Sequence, residues 1–377
     1  MVTVLLGADI CPIEGNRPCF LKGDARALFQ DLLPEFEQAD LSIANLECPL
    51  IERPTPTKKT GPVFGEPSAC INAIKQAHID VLNLANNHIL DHGEPGLENT
   101  LAVCTQAGIQ TVGAGPNLDA ARRILIRDLG GLRVGILAVA EHEFSIATKD
   151  SAGANPLDLV DFVRNVAAHR AQFDYLIVLL HGGDEFFVPS PRIKETCRFM
   201  VEMGAKAVIV QHPHVLGGYE DYRGGHIVYG QGALLMDEAI YRDRPSFHEG
   251  FLVKLSIAAV ATSSMEIVPF IQSSPAPGAH RMAPAKEQGF RRLLAERSAA
   301  IQDDAFVEAE WLRFCEERKH DYISGLLGHN RILSKLNSRG LLTRLFYNQR
   351  VLLGVRNTVH CETHREAIET IFDQHLL

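Results

Sequence analysis

The chain has 377 residues, 46% hydrophobic and 22% charged, with a formal net charge of −9 and a sequence pI near 6.0. That balance predicts a soluble globular protein, its length fits one large domain with a smaller appendage or two medium domains, and its acidity argues against broad nucleic-acid binding. Eight cysteines without a CxxC pair read as reduced thiols; with no cationic, apolar leader and no window of ~18 apolar residues, a cytoplasmic protein without a membrane span is expected.

In chain order, Val2–Gly7 (VTVLLG) is the first short apolar run. Leu41–Ala44, Val81–Ala85, Arg133–Ala140, Tyr175–Leu180 and Ala207–Val210 follow, and none alternates polar with apolar. Such runs predict strands buried on both faces. Helical patterns lie between them at Asp24–Gln38, Pro67–Ala77, Pro95–Ala107, Pro156–Gln172 and Pro191–Met203, several with proline near the start, where the first turn tolerates it. The alternation predicts an α/β fold. From Ile227 the rhythm changes: Ile227–Tyr229, Phe251–Ser256 and Met265–Phe270 read as strands joined by turns, a second sheet layer. Ser273–Gly278 (SSPAPG) reads as a linker. Lys286–Lys319 and His364–His375 carry helical patterns, so two domains are expected, residues 1–272 and a mainly helical extension over residues 279–377.

The informative residues stand where the strands end. VTVLLGA runs into Asp9, LSIAN into Glu47, VLNLA into Asn86-Asn87-His88, YLIVLL into His181-Gly182-Gly183, and AVIVQ into His212-Pro213-His214. Open α/β sheets place ligands outside the carboxyl ends of their strands. Taken singly, Asp9 is a cap, Asn86-Asn87-His88 a turn and His181 a satisfied core histidine; five such groups at one sheet edge point to a metal or catalytic cluster. Carboxylate, amide and imidazole donors suit two divalent ions such as manganese, zinc or iron rather than a thiolate zinc site. Glu47 has the chemistry to bridge two ions, and His88 is placed to protonate a leaving oxygen.

These residues resemble the CapA-type poly-γ-glutamate capsule biosynthesis family, relatives of the calcineurin-like metallophosphoesterases. The likeness follows motif order over residues 2–270: Gly7-Ala8-Asp9 with one residue inserted, Asn45-Leu46-Glu47, Ala85-Asn86-Asn87-His88 with Asp91 and Gly93, His181 to Phe186, Val210 to His214, and Tyr229 to Leu234. The resemblance implies a four-layer α/β/β/α sandwich. It implies that Asp9 and His214 serve one ion, Asn87, His181 and His212 the other, and Glu47 both. His88 and Asp91 are then the catalytic pair, and Asn86, Gly183 and Glu185 substrate contacts. The chain departs from the pattern at Cys11, which stands where the phosphoesterase relatives have histidine and is a bystander or a soft ligand. It departs again at Gln211 in place of glycine and at Ala233 in place of asparagine.

Four further features have two readings each. Asp184 and Glu185 are support for the site or loop acids; Glu141-His142-Glu143 faces the same edge or is a solvated loop. Lys58-Lys59, in the loop Arg53–Gly61, covers the site or is solvated. The basic residues from Arg331 to Arg356 touch a partner or an anionic polymer, or form a solvated helix face. The expected function is a metal-dependent phosphoesterase linked to capsule or surface-polymer synthesis, acting on a phosphorylated small molecule or polymer precursor and working with polymer-synthesis proteins. The alternatives are a non-hydrolytic metal-binding subunit and a metal-dependent amide hydrolase.

Overall fold

The apolar run that opens the chain becomes the centre of a sheet. The structure, a computed structural model, describes residues 1–59, 61–238, 243, 245–259, 262–328, 330–360 and 364–365. Val2–Ile10 pairs in parallel with Leu41–Leu46, then Val81–Asn83 and Gln110–Val112 follow on that side. On its other side the first half of Val2–Ile10 pairs antiparallel with Glu249–Ala259, while Asp9 and Ile10 pair in parallel with Ala233–Leu235. Thr262–Gln272 and Ala279–Arg281 complete this eight-stranded sheet. The register against Leu41–Leu46 shifts by one between Leu6 and Asp9. The residue inserted before Asp9 is thus taken up as a β-bulge, so that Asp9 again lies beside Asn45 at the sheet edge.

The second sheet runs Tyr219–Tyr222, Gly225–Val228, Ala207–Gln211, Tyr175–His181, Leu132–Ala140, Leu125–Leu129. Its two faces separate cleanly. Tyr175, Ile177, Leu179, Ala207 and Ile209 join the core shared with the first sheet. Leu176, Val178, Leu180, Val208 and Val210 pack instead on Phe162 and Val166 of the helix Leu159–His169 and on Ile193, Cys197 and Met200 of Pro191–Glu202. The first sheet is covered on its outer face by Phe20, Leu28, Phe29, Phe36 and Ile74 from short helices. The result is the α/β/β/α order. Because both faces of the central strands are buried, each large aliphatic contributes about 1.5–3 kcal/mol, and the strands carry no polar alternation.

The helices are more broken than their sequence pattern. Asp24–Gln38 divides into Ala25–Phe29, a 3-10 turn Gln30–Leu32 and Leu33–Gln38, with Gln30 at φ 40°. Pro67–Ala77 keeps only Ile71–Gln76 as α-helix. Lys286–Lys319 is two helices, Pro284–Ala300 and Asp304–Leu326. Ser273–Gly278 is not an inter-domain linker but a turn: the Ser273 N–H donates to the Gly278 carbonyl (2.7 Å), and the strands on either side pair with each other. By its contacts the chain forms two compact units, Met1–Glu308 and Ala309–Leu377, a division later than the 272/279 boundary expected from composition. Phe290 and Leu294 explain the difference, because they seat Pro284–Ala300 in the sandwich core. The helix read at His364–His375 lies, apart from residues 364–365, outside the described residues. Among the described residues no helix is long and apolar enough to cross a membrane.

Candidate metal centre

The carboxyl ends of Val2–Ile10, Leu41–Leu46, Val81–Asn83, Tyr175–His181 and Ala207–Gln211 meet at one edge of the sandwich. Their terminal side chains form two groups that share Glu47. One oxygen of Glu47, Oε1, lies 3.6 Å from His181 Nε2 and 4.0 Å from His212 Nδ1. The other, Oε2, lies 3.0 Å from His214 Nε2, which is also 3.5 Å from Asp9 Oδ2. Asn87 joins the first group, its Oδ1 3.1 Å from His181 Nε2.

This edge is held from below by amides. Asn45 Nδ2 donates to Asp9 Oδ1 (2.8 Å), and Asn86 Nδ2 donates to Asn45 Oδ1 (3.1 Å) and to the Leu46 carbonyl (2.8 Å). Asn86 Oδ1 accepts the His88 backbone N–H at 3.1 Å. Asn86, expected among the substrate contacts, is therefore fully buried and committed to supporting the turn. His212 takes a left-handed φ of 95°, unusual for a side chain of its size, and its backbone N–H donates to Asp9 Oδ2 at 3.0 Å.

Charge is set by neighbours. Burial alone would raise the Asp9 carboxyl, but His214, His181 and the His212 backbone N–H outweigh it and hold it at about 2. Burial, then His212, pushes His181 well below the ordinary histidine range, so its ring is neutral and free to ligate. Burial acts to lower His214 as well, yet Glu47 and Asp9 carry it well above that range.

The donor set fits divalent metal. Three imidazoles, two carboxylates and an amide oxygen point inward with no thiolate among them, and within each group the ligand atoms of the histidines and carboxylates lie within 4.8 Å of one another. His212 Nδ1 sits 3.2 Å from His181 Nε2, an approach of basic nitrogens that a shared cation accommodates. The buried Nδ1 of His214 has no hydrogen-bond partner among the described residues. Cys11 stands apart: burial and the Cys48 thiol that it meets keep its pKa well above the ordinary value, so it remains a neutral thiol. Gln211 ties the two sheets together, accepting from Asn83 Nδ2 (2.9 Å) and donating to the Gly7 carbonyl (3.2 Å). Ala233 is fully buried beside Asp9.

Around this centre lie His88, Asp91 and residues brought in by loops. His88 Nδ1 is 2.7 Å from Asp91 Oδ2. Of the two readings of the loop holding Lys59, covering the site is the one seen: Lys59 Nζ bonds Asp91 Oδ1 and lies 3.2 Å from His88 Nδ1, and beyond it the Phe64 N–H donates to Asp91 Oδ2 at 2.7 Å. Glu143 accepts from Asn87 Nδ2 (2.9 Å) and Glu141 from the Gly183 N–H (2.7 Å), so both acids face the edge rather than solvent alone. Glu185 is half-buried; together with burial and Glu47 it raises the carboxyl of Glu238, an acid that no motif marked.

Layer order and donor set define an α/β/β/α sandwich with a His/Asp/Glu cluster at its sheet edge. The chain belongs to the bacterial capsule synthesis protein PGA_cap family, whose family model matches residues 5–238. It is similar to the capsule biosynthesis protein CapA of Bacillus anthracis, 26% identical over 322 residues, covering 83% of this chain and 74% of that protein. It is also similar to the PGA biosynthesis protein CapA of Bacillus subtilis (strain 168), 28% identical over 261 residues and 67% of each chain. Among solved structures a 5'-nucleotidase precursor from Thermus thermophilus aligns at a TM-score of 0.41 and 13% identity, over 80% of this chain and 60% of that one.

Proposed function

We propose that this chain is a dinuclear-metal phosphoric ester hydrolase of capsule or surface-polymer synthesis. Its substrate would be a phosphorylated small molecule or polymer precursor, and polymer-synthesis proteins its partners. The observation that carries the reading is the division of Glu47, one oxygen toward His181 and His212 and the other toward His214 and Asp9. When bound, a metal pair lowers the pKa of water and neutralises a phosphoryl group. Asp9, Glu47, Asn87, His181, His212 and His214 would hold it. Glu143 orients the Asn87 amide so that its oxygen faces His181. Asp91 fixes the His88 ring through Nδ1, leaving Nε2 to deliver a proton to a leaving oxygen.

A second reading, a metal-binding subunit without hydrolysis, is favoured by Lys59. Its ammonium occupies the other oxygen of Asp91 and sits against His88, and Ala233 removes an amide that the family pattern places nearby. The two readings part in one experiment. The purified protein is analysed for metal and assayed on an aryl phosphate with manganese, beside His88→Ala. Hydrolysis expects roughly 10²–10⁴-fold loss in kcat for His88→Ala with metal content unchanged. Stoichiometric metal without turnover of monoesters or diesters replaces the hydrolase with the binding subunit.

A further inference from the structure

The unit Ala309–Leu377 departs from the usual relation of apolar interior to polar exterior. Among the described residues, twelve large hydrophobic side chains between Leu312 and Val359 are exposed, against eight in the whole of Met1–Glu308. Among the described residues the segment buries one large apolar side chain, Phe314, beside the polar Ser324, Asn337 and Thr343. Asn337 is fully buried, donating to Ser324 Oγ (3.0 Å) and Thr343 Oγ1 (2.8 Å) while its Oδ1 accepts the Thr343 N–H (3.1 Å). The large apolar side chains that a water-soluble bundle would turn inward face out: Ile332 and Leu336 on Arg331–Leu336, Leu345 and Phe346 on Leu341–Phe346 are 60–75% exposed. On Gln349–His360, Val351, Val355 and Val359 share one helical face.

Charge is as one-sided as hydrophobicity. No Asp or Glu stands between Asp321 and Glu362 in a chain of formal net charge −9. Arg331, Lys335, Arg339, Arg344, Arg350 and Arg356 fall in that interval, and all six are exposed. Exposed apolar faces on short helices, interleaved with cations and free of acids, are the composition of helices that lie in a membrane interface. A second copy of the chain is the poorer occupant, since it brings the same six cations to the same face.

We propose that the C-terminal helices dock this protein on an anionic lipid surface, their apolar side chains entering the headgroup boundary and their cations meeting lipid phosphates. The docking is independent of the chemistry proposed for the metal centre. The full chain is sedimented with vesicles of phosphatidylcholine alone and with about 30 mol% phosphatidylglycerol added, at low and raised salt. The expected result is partition onto the anionic vesicles only, weakened by salt. Each cation is worth about fivefold in partition, so Arg339→Glu with Arg344→Glu should cost at least tenfold, and so should Leu345→Glu with Phe346→Glu. Leu293→Glu, an exposed apolar site on the sandwich, and Glu47→Gln should leave partition unchanged. Equal partition onto neutral vesicles, or none onto anionic ones, overturns the proposal. So does a dimer in sedimentation velocity that the Leu345/Phe346 variant dissolves while the unmodified chain ignores vesicles. Sensitivity to charge reversal alone, with poly-glutamate or RNA binding in place of lipid, overturns it equally. The lipid and salt series on the unmodified chain decides the matter even where a variant misfolds.

Discussion

The two sheets supply the candidate metal centre differently. The first sheet gives Asp9 and Glu47, both at most 1% exposed, with Asp9 braced by Asn45 and Asn45 in turn by Asn86. The second gives His181, His212 and His214, among which His212 is 20% exposed, sits at a left-handed φ, and among the described residues has ring contacts to His181 and His214. Charge is fixed on the first sheet, where Asp9 is held at about 2. On the second, burial and then His212 drive His181 down, while Glu47 and Asp9 carry His214 up against its burial. A braced anionic half thus faces a basic half whose histidine protons a cation would have to displace.

The sharpest test of that contrast sets one residue of each half against the other. Glu47→Gln, which keeps the shape of the shared ligand and removes its charge, should abolish the second metal equivalent and cut turnover on the order of a thousandfold, ~4 kcal/mol in transition-state stabilisation. His212→Ala, at the open side, should cost turnover roughly tenfold and retain one tightly held metal. Metal analysis beside initial rates reads both. Equal losses from the two substitutions would remove the distinction between the halves. Next in size is the brace: Asn45→Ala frees Asp9 and Asn86 together, and loss of such support lowers metal affinity about 10–100-fold, read by competition with a chelating dye.

The second half is where pH should act. His214 is raised above the unfolded histidine value near 6.5. In the metal-free protein the stability it contributes is therefore full below pH ~6.5 and is lost as pH rises through its higher folded value. Metal must displace that proton, so apparent metal affinity should climb with pH, by up to tenfold per pH unit, until pH passes the raised folded value of His214. Calorimetry in buffers of different ionisation enthalpy should find one proton released per metal pair. No release, with affinity flat across that window, would mean that His214 is neutral before metal arrives.

What could be read from the sequence was what lies at strand ends. Asp9, Glu47, Asn87, His181, His212 and His214 each follow an apolar run, and a run buried on both faces leaves its first polar residue at the sheet edge. Even the inserted residue before Asp9 became a bulge rather than a lost register. Residues delivered by loops were not legible in that way. Glu143 reaches Asn87 and Glu238 reaches the neighbourhood of His214 through long-range folding that no local period encodes. Lys59 stands in a Pro/Thr-rich loop whose composition is that of a solvated segment, and only its contact with Asp91 removes it from that class. Ser273–Gly278 was misleading for a related reason: proline and glycine mark turns and linkers alike, and pairing of the flanking strands decides between them.

The smallest predicted effect concerns the seam between the halves. Gln211 ends a strand of the second sheet, is 3% exposed, and bonds Asn83 and Gly7 of the first sheet immediately below Asp9 and His212. Gln211→Gly, which restores the residue of the family pattern, leaves the Asn83 amide and the Gly7 carbonyl buried without those partners. Such a loss costs about 1–3 kcal/mol, with a further ~0.5–1 kcal/mol for glycine in a strand. Urea unfolding of the metal-free sandwich should shift to lower denaturant by that amount, while metal stoichiometry stays unchanged, since every ligand remains. A shift of less than ~0.5 kcal/mol would indicate that water replaces both bonds. A fall in metal content would instead make Gln211 the clamp that keeps the anionic and basic halves in register.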